Sequence, residues 1–418
     1  MAGRGDVVIT GMGVVTPIGL SVGELLASLR GNRSGISLWQ SPLLGRDLPA
    51  GLIARDFAGE FTKLELPYLD RCTQIALLAA RQAAADARLE QFGEHGARAG
   101  LFYGSVCGGV ATEHDWVRQF FTEGKQLAKP YAIMASMLNA APAQISIRHQ
   151  ILGPVMTHSS ACTSSGSAIG DAARAIRHGY LDVALAGGAE ASLTPTFMAL
   201  WGGLRALAEP DAEDVGTSCR PFSSTRGGLV LGEGAVFLLL ESRAHAERRG
   251  ASCYAALSGY GIASDGYHIG SPKLEGQVAA LREALADAAL RPEQIGYVNA
   301  HATGTAGGDP IEADAIRQVL GDAPVSSTKA IHGHLLGAAS ALELAISILA
   351  ISESFLPATA NLDEIDPACA LNHVARTPVF DHPVDHALSF SAGFGGTNVA
   401  LIASLEQKLP QKTKACLQ

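Results

Sequence analysis

The 418-residue chain lacks long hydrophobic runs, paired cysteines and an excess of positive charge. The stretch Ala345–Ser352 falls far short of the ~18 apolar residues that a membrane-spanning helix needs, which predicts no transmembrane segment. Seven cysteines, at 72, 107, 162, 219, 253, 369 and 416, form no CxxC pair, so neither a disulfide framework nor a zinc site is indicated. Most of them read as buried, inert thiols. Cys416 stands third from the end, where prenylation requires the fourth position. Lysine and arginine total 31 against 40 acidic residues, and the net charge of −9 argues against nucleic acid or an anionic membrane as the main partner. Charged residues make up only 17% and hydrophobic ones 47%, which excludes a disordered or coiled-coil chain. The opening MAGRGDVVITGMG reaches Asp6 before any apolar region forms. It does not read as a secretory signal, and a cytoplasmic protein is expected.

Glycine is abundant, with 47 residues clustered in short apolar segments rather than in linkers. Strand-like runs such as Val7–Thr10, Leu101–Gly104 and Val183–Ala186 alternate with alanine-rich helical stretches such as Ile75–Ala87 and Ala168–His178. This is an α/β pattern. After a charged segment the rhythm starts again, with a helix over Gln277–Ala289, a strand over Tyr297–Ala300, a helix over Ala341–Ser352 and two closing strands. Two related halves are therefore expected, 1–245 and 246–408, with 409–418 as a flexible tail. The opening GMGVVTPIG lacks the GxGxxG spacing of a dinucleotide fingerprint and reads instead as a tight strand-to-helix turn.

Four segments carry chemistry. In Ser159–Gly170 a cysteine, Cys162, sits among small residues ahead of an amphipathic helix. A helix N-terminus stabilises an anion, so the thiol pKa is expected to fall, and the small neighbours permit a strained elbow. In Asn299–Thr305, His301 lies on a loop at a strand end, followed by Asp309 and Glu312 at a helix start. Ser327–Ala339 holds Lys329, His332 and His334 among small residues, with Glu312 expected to neutralise Lys329. Ser391–Asn398 is a glycine-dense loop whose backbone can present N–H groups to an oxyanion.

Together these segments resemble the β-ketoacyl-acyl-carrier-protein synthase I/II family of condensing enzymes, in the thiolase superfamily. The resemblance covers nearly the whole chain, from VVITGMGVVTPIG through RPFSSTRGGLVLGEGA at 220–235 to GFGGTN. It implies a thiolase-like, duplicated α-β-α-β-α layered fold and a homodimer or a heterodimer with a ketosynthase-like subunit. Cys162 would take an acyl group, and the N–H groups of Cys162 and Phe394, the gating residue, would form the oxyanion hole. His301 and His334 would stabilise the enolate left when a malonyl thioester loses carbon dioxide. Thr303 and Thr305 match positions that bind the phosphopantetheine arm. The arm arrives on an acyl carrier protein, so no cofactor or metal of the enzyme's own is expected. Lys329 and Glu312 read as organisers of the site, and Asp309 and Asn398 as structural.

Several residues depart from the family pattern. Ser223, Gly227 and Leu229 replace two acidic residues and an aromatic, Ala392 a phenylalanine, Cys107 a larger aliphatic residue, and His332 a small one. Cys107, Leu229 and Ala392 are expected to widen the acyl pocket. Pro67 and Tyr68 stand where basic residues are common, leaving Lys63 and Arg71 as candidates for carrier docking. These departures leave open whether the pathway is fatty-acid elongation or a polyketide or aryl-polyene route. A non-catalytic chain-length-factor-like subunit is a rival that the presence of Cys162 and both histidines opposes. A cysteine acyltransferase using one histidine and a thiolase with a second catalytic cysteine fit less well.

Overall fold

A computed structural model describes residues 6–412. Ten strands form one continuous sheet: β1 (Val7–Val15), β2 (Ala99–Gly104), β3 (Val155–His158), β4 (Val183–Glu190), β5 (Gly234–Ser242), β6 (Ala255–Ser264), β7 (Tyr297–Asn299), β8 (Val325–Ser326), β9 (His386–Ala392) and β10 (Thr397–Ser404). Their order is β8-β7-β9-β10-β6-β1-β5-β4-β2-β3. The first half runs β1-β5-β4 antiparallel and then β4-β2-β3 parallel. The second repeats it, β6-β10-β9 antiparallel and β9-β7-β8 parallel. Within this sheet the ladder pairs Val8–Ala256 and Ile9–Ala255 join the halves.

Helices α1 (Arg71–Asp86) and α2 (Ala140–His149) cover the outer face of the first half, where Ile75, Ala79, Ala83 and Ile145 pack on Leu101, Leu185 and Leu239. Helices α3 (Ser164–Arg177) and α4 (Ala339–Glu353) fill the middle, joined in one core with Leu238 and Leu401. Leu274–Ala288 and Gly308–Leu320 cover the outer face of the second half. The expected five-layer, thiolase-like fold is what the chain forms. The window Leu336–Glu353 is apolar and long enough to cross a membrane, but 94% of it is buried as the central helix.

Two expectations are corrected. Gly11 and Gly13 do not make a turn; they lie inside β1, which extends to Val15. A Cβ at either would overlap the backbone of α1, at Ala83 or Ala79, so glycine is needed for close helix–strand approach. The turn follows at Thr16–Gly19. The tail is docked at its start: Leu409 is buried, Cys253 N–H donates to the Pro410 carbonyl at 2.9 Å, and Lys412 N–H donates to Cys253 O at 2.9 Å. The remaining tail residues, Cys416 among them, and the first five residues lie outside the described range. The edge strand β3 had no clear signal, because its four residues follow a Gly-Pro break and are half exposed.

Candidate active site

The chemistry gathers at the C-terminal ends of equivalent strands. Cys162 follows β3, and Lys329 and His334 follow its counterpart β8; His301 follows β7, and Phe394 tips the hairpin between β9 and β10. Ligands of α/β sheets approach at this edge because loops and helix N-termini converge there.

The elbow at the cysteine is strained as expected. Ala161 has φ 54°, Ser164 Oγ donates to Ala161 O at 2.6 Å, and Ser340 Oγ donates to the Cys162 carbonyl at 3.1 Å. Cys162 lies ahead of α3, and its thiol is buried. The expected fall in pKa does not occur. Burial pushes the thiol up to about 12, against the opposing pull of Lys329 and of the Phe394 and Cys162 backbone N–H groups. Those two amides are the expected oxyanion donors, and both act on the sulfur.

His334 Nε2 lies 2.9 Å from Cys162 Sγ. The donor atoms of Cys162, His301 and His334 all fall within 4.8 Å of one another, and the imidazoles meet edge to face at 5.2 Å. Burial and the charge of Lys329 hold both histidines well below the usual imidazole range. They are neutral at pH 7, and a neutral imidazole can either take the thiol proton or donate a hydrogen bond. His334 is fixed through its backbone, donating to Val230 O at 2.7 Å and accepting from Gly232 N at 2.8 Å. His332 is fully buried, with Nδ1 2.6 Å from Gly333 O and Nε2 3.0 Å from Thr328 Oγ1. It braces this turn and does not face the sulfur.

One pairing differs from expectation. Lys329 does not meet Glu312; its ammonium forms a fully buried ion pair with Glu343 on α4. Glu312 instead accepts the His301 N–H at 2.6 Å, and burial, then Asp309, pushes its carboxyl up to about 8. Glu343 also accepts from Ser391 Oγ at 3.3 Å, and Ser391 accepts from Ser340 Oγ at 2.8 Å. This network ties Lys329 to the carbonyl of Cys162. Glu343 carried a readable signal, since it is the only charged residue between Ala338 and Ile351. A lone carboxylate inside a buried helix requires a partner.

Asp309 anchors the threonine loop: its Oδ1 accepts from the N–H groups of Thr303, Gly304 and Thr305, each at 3.2 Å, and Oδ2 from Phe222 N at 2.8 Å. Thr303 Oγ1 lies 3.3 Å from Thr305 Oγ1. Asn398 Nδ2 donates to Asp265 Oδ1 at 2.7 Å, bracing the glycine loop. The three expected pocket residues do not share one place. Leu229 packs with Trp201 and Leu336, and Val106, next to Cys107, packs against that cluster. Ala392 packs instead against the outer core of the second half, beside Ala263 and Leu274. Arg71 is not free for docking: its Nε and Nη2 grip Glu233 at 2.7 Å each, and Nη2 also donates to Ile53 O at 2.8 Å. Lys63 is exposed.

The model of the Beta-ketoacyl synthase N-terminal domain matches residues 4–246, and that of the C-terminal domain matches 254–363. The chain belongs to the β-ketoacyl synthase family. It is 37% identical over 412 residues to "3-oxoacyl-[acyl-carrier-protein] synthase 2" of Coxiella burnetii (strain RSA 493 / Nine Mile phase I), covering 95% of this chain and 98% of the relative. It is 37% identical over 405 residues to "Nodulation protein E" of Rhizobium meliloti (strain 1021), covering 94% and 98%. Among solved structures, "The ishigamide ketosynthase/chain length factor" superposes with TM-score 0.89 at 32% identity, covering 97% of this chain and all of that one. A ketosynthase in complex with its chain length factor from Xenorhabdus doucetiae superposes with TM-score 0.85 at 27% identity, covering 96% and 98%. This β-ketoacyl synthase is an enzyme of the ketosynthase type.

Proposed function

We propose that the enzyme joins an acyl group carried on Cys162 to a malonyl unit delivered by an acyl carrier protein, releasing carbon dioxide and giving a 3-oxoacyl carrier protein. The observation that carries this reading is the convergence of Cys162, His301 and His334 beneath two backbone N–H donors. In loading, the sulfur attacks the thioester carbonyl as His334 Nε2 takes the thiol proton. The Cys162 and Phe394 amides receive the oxyanion, and the carrier thiol leaves with that proton. In condensation, His301 and His334, the latter after its remaining proton has shifted to Nε2, donate hydrogen bonds to the malonyl thioester oxygen while the carboxylate departs as carbon dioxide. The enolate carbon then attacks the acyl-enzyme carbonyl and frees Cys162. Lys329, held by Glu343, keeps both imidazoles neutral, and Glu312 fixes the backbone of His301. Thr303 and Thr305 receive the phosphopantetheine arm, which belongs to the carrier, so the enzyme needs no cofactor of its own.

The reaction is cytoplasmic, and the enzyme works as a pair with a second copy or a ketosynthase-like subunit. Supporting the pairing, β3 ends the sheet and exposes Val155 and Met156, and Phe120, Phe121, Ile133 and Met137 expose further apolar surface. A polyketide or aryl-polyene pathway is the second reading; it is favoured by the likeness to ketosynthases solved with chain length factors. The test is to mix acyl-loaded enzyme with malonyl carrier protein and weigh the carrier. A 3-oxoacyl carrier from saturated acyl groups supports elongation of fatty acids, one from polyenoyl groups alone supports the second reading, and none from any acyl group refutes the function.

A further inference from the structure

The Phe394 ring lies stacked on the indole of Trp201, with centroids 5.6 Å apart and planes 24° from parallel. The two sides of this stack differ in burial. Trp201 belongs to the helix Pro195–Gly203, whose start is capped by Thr194 Oγ1 accepting from Phe197 N at 3.3 Å. The indole is packed among Met198, Leu229 and Leu336 and is braced edge-on by Phe197 at 6.2 Å. Phe394 is 44% exposed and is followed by two glycines at φ 87° and 84°. Its loop is tethered at both sides, with Gly393 N–H donating to Thr397 O at 2.8 Å and Gly395 N–H to Ile269 O at 2.8 Å. The tip therefore turns on two left-handed glycines, and among the described residues the aromatic surface under its ring is an indole packed into a buried cluster.

Phe394 matters through its amide as well as its ring, because that N–H favours the anionic form of the Cys162 sulfur and the neighbouring Gly393 closes on the cysteine elbow, where an added Cβ would lie 3.4 Å from Cys162 N. Whatever holds the ring also fixes the amide. The thiol is buried and the loop before Phe394 packs on the Ser160–Cys162 elbow, so an acyl chain that reaches the sulfur passes this loop. Building on the ketosynthase reading, we propose that Trp201 is a positioning residue: its indole is the platform that holds the Phe394 ring, and with it the oxyanion amide, in place until acyl loading displaces the ring. A stacked aromatic pair shifts an equilibrium by a factor of ~2 to ~12 beyond simple burial, enough to bias a gate while leaving it able to open.

The chain has three tryptophans, Trp39, Trp116 and Trp201, so Trp39→Phe/Trp116→Phe leaves Trp201 as the only indole reporter. The enzyme is mixed with the octanoyl thioester of N-acetylcysteamine, and indole emission and intact mass are followed together. The expected result is an emission change that tracks formation of the acyl adduct and is lost in Phe394→Leu and in Cys162→Ala. Trp201→Leu is expected to slow loading ~2- to ~12-fold at unchanged KM for malonyl carrier, and Trp201→Phe to restore the rate. If the double variant folds poorly, the same difference is read as an emission change present in wild type and absent in Trp201→Phe. An adduct without an emission change, or loading at the wild-type rate in Trp201→Leu, overturns the platform. Failure to form any adduct overturns the ketosynthase reading instead.

Discussion

Lys329→Met separates the structural from the electrostatic work of the buried ion pair. The substitution removes the cation and leaves the Glu343 carboxylate with no ammonium in a position fully shielded from water. Breaking a buried pair from one side costs about 3–5 kcal/mol, whereas replacing both partners with apolar groups is often neutral. Urea unfolding of Lys329→Met is therefore expected to show that loss, and Lys329→Met/Glu343→Leu to recover most of it. Catalysis does not recover in the double variant. Lys329 helps depress both histidines, so without it their pKa values rise toward 6.5, though burial still holds them lower. The neutral imidazoles needed for decarboxylation exist only above those pKa values. The acid limb of the malonyl decarboxylation profile is thus expected to move to higher pH, each unit corresponding to about 1.4 kcal/mol of lost preference for the neutral form. A double variant as unstable as the single one, or an acid limb that stays at its wild-type pH, refutes this division of roles.

Three further outcomes are expected. Gly13→Ala places a methyl group into the Ala79 carbonyl of α1 and should destabilise the fold by several kcal/mol in thermal unfolding, on the order of other overpacked core sites; a wild-type Tm contradicts the close-approach argument. Arg71→Ala strands the buried Glu233 carboxylate and should lower Tm while leaving KM for carrier-linked and short thioester substrates in their wild-type ratio; a selective rise for the carrier would restore Arg71 as a docking residue. Iodoacetamide alkylation of Cys162 should keep rising ~10-fold per pH unit from 7 to 9, as fits a thiol pushed up to about 12; a plateau near pH 8.5 would indicate an ordinary thiol.

The halves of the fold were readable because short apolar strand runs, as in the fully buried Val183–Glu190, alternate with alanine-rich helical stretches, as in Arg71–Asp86. The site was readable as four motifs because Cys162, His301 and His334 each stand among glycine and small residues at a strand end. Electrostatics was harder to read. A cysteine ahead of a helix suggests a lowered pKa, but desolvation at a buried sulfur outweighs the helix N-terminus, and burial cannot be seen in a motif. The Lys329–Glu343 pair was not legible for a related reason: Glu312 stands in the histidine motif and draws the eye as a partner, but α4 crosses the middle layer and brings Glu343, 14 residues on, to the ammonium. Ala392 and Leu229 look alike as trimmed pocket positions, yet they face different cores, a distinction that only the layering makes.

Intact-mass measurement of the enzyme after incubation with acyl carrier proteins tests the assignment of the nucleophile most directly. The expected result is one acyl group per chain, mapped by peptide mass to Cys162 and absent in a folded Cys162→Ala variant. An acyl group that still loads in that variant, or that maps to Cys107 or another thiol, would contradict it.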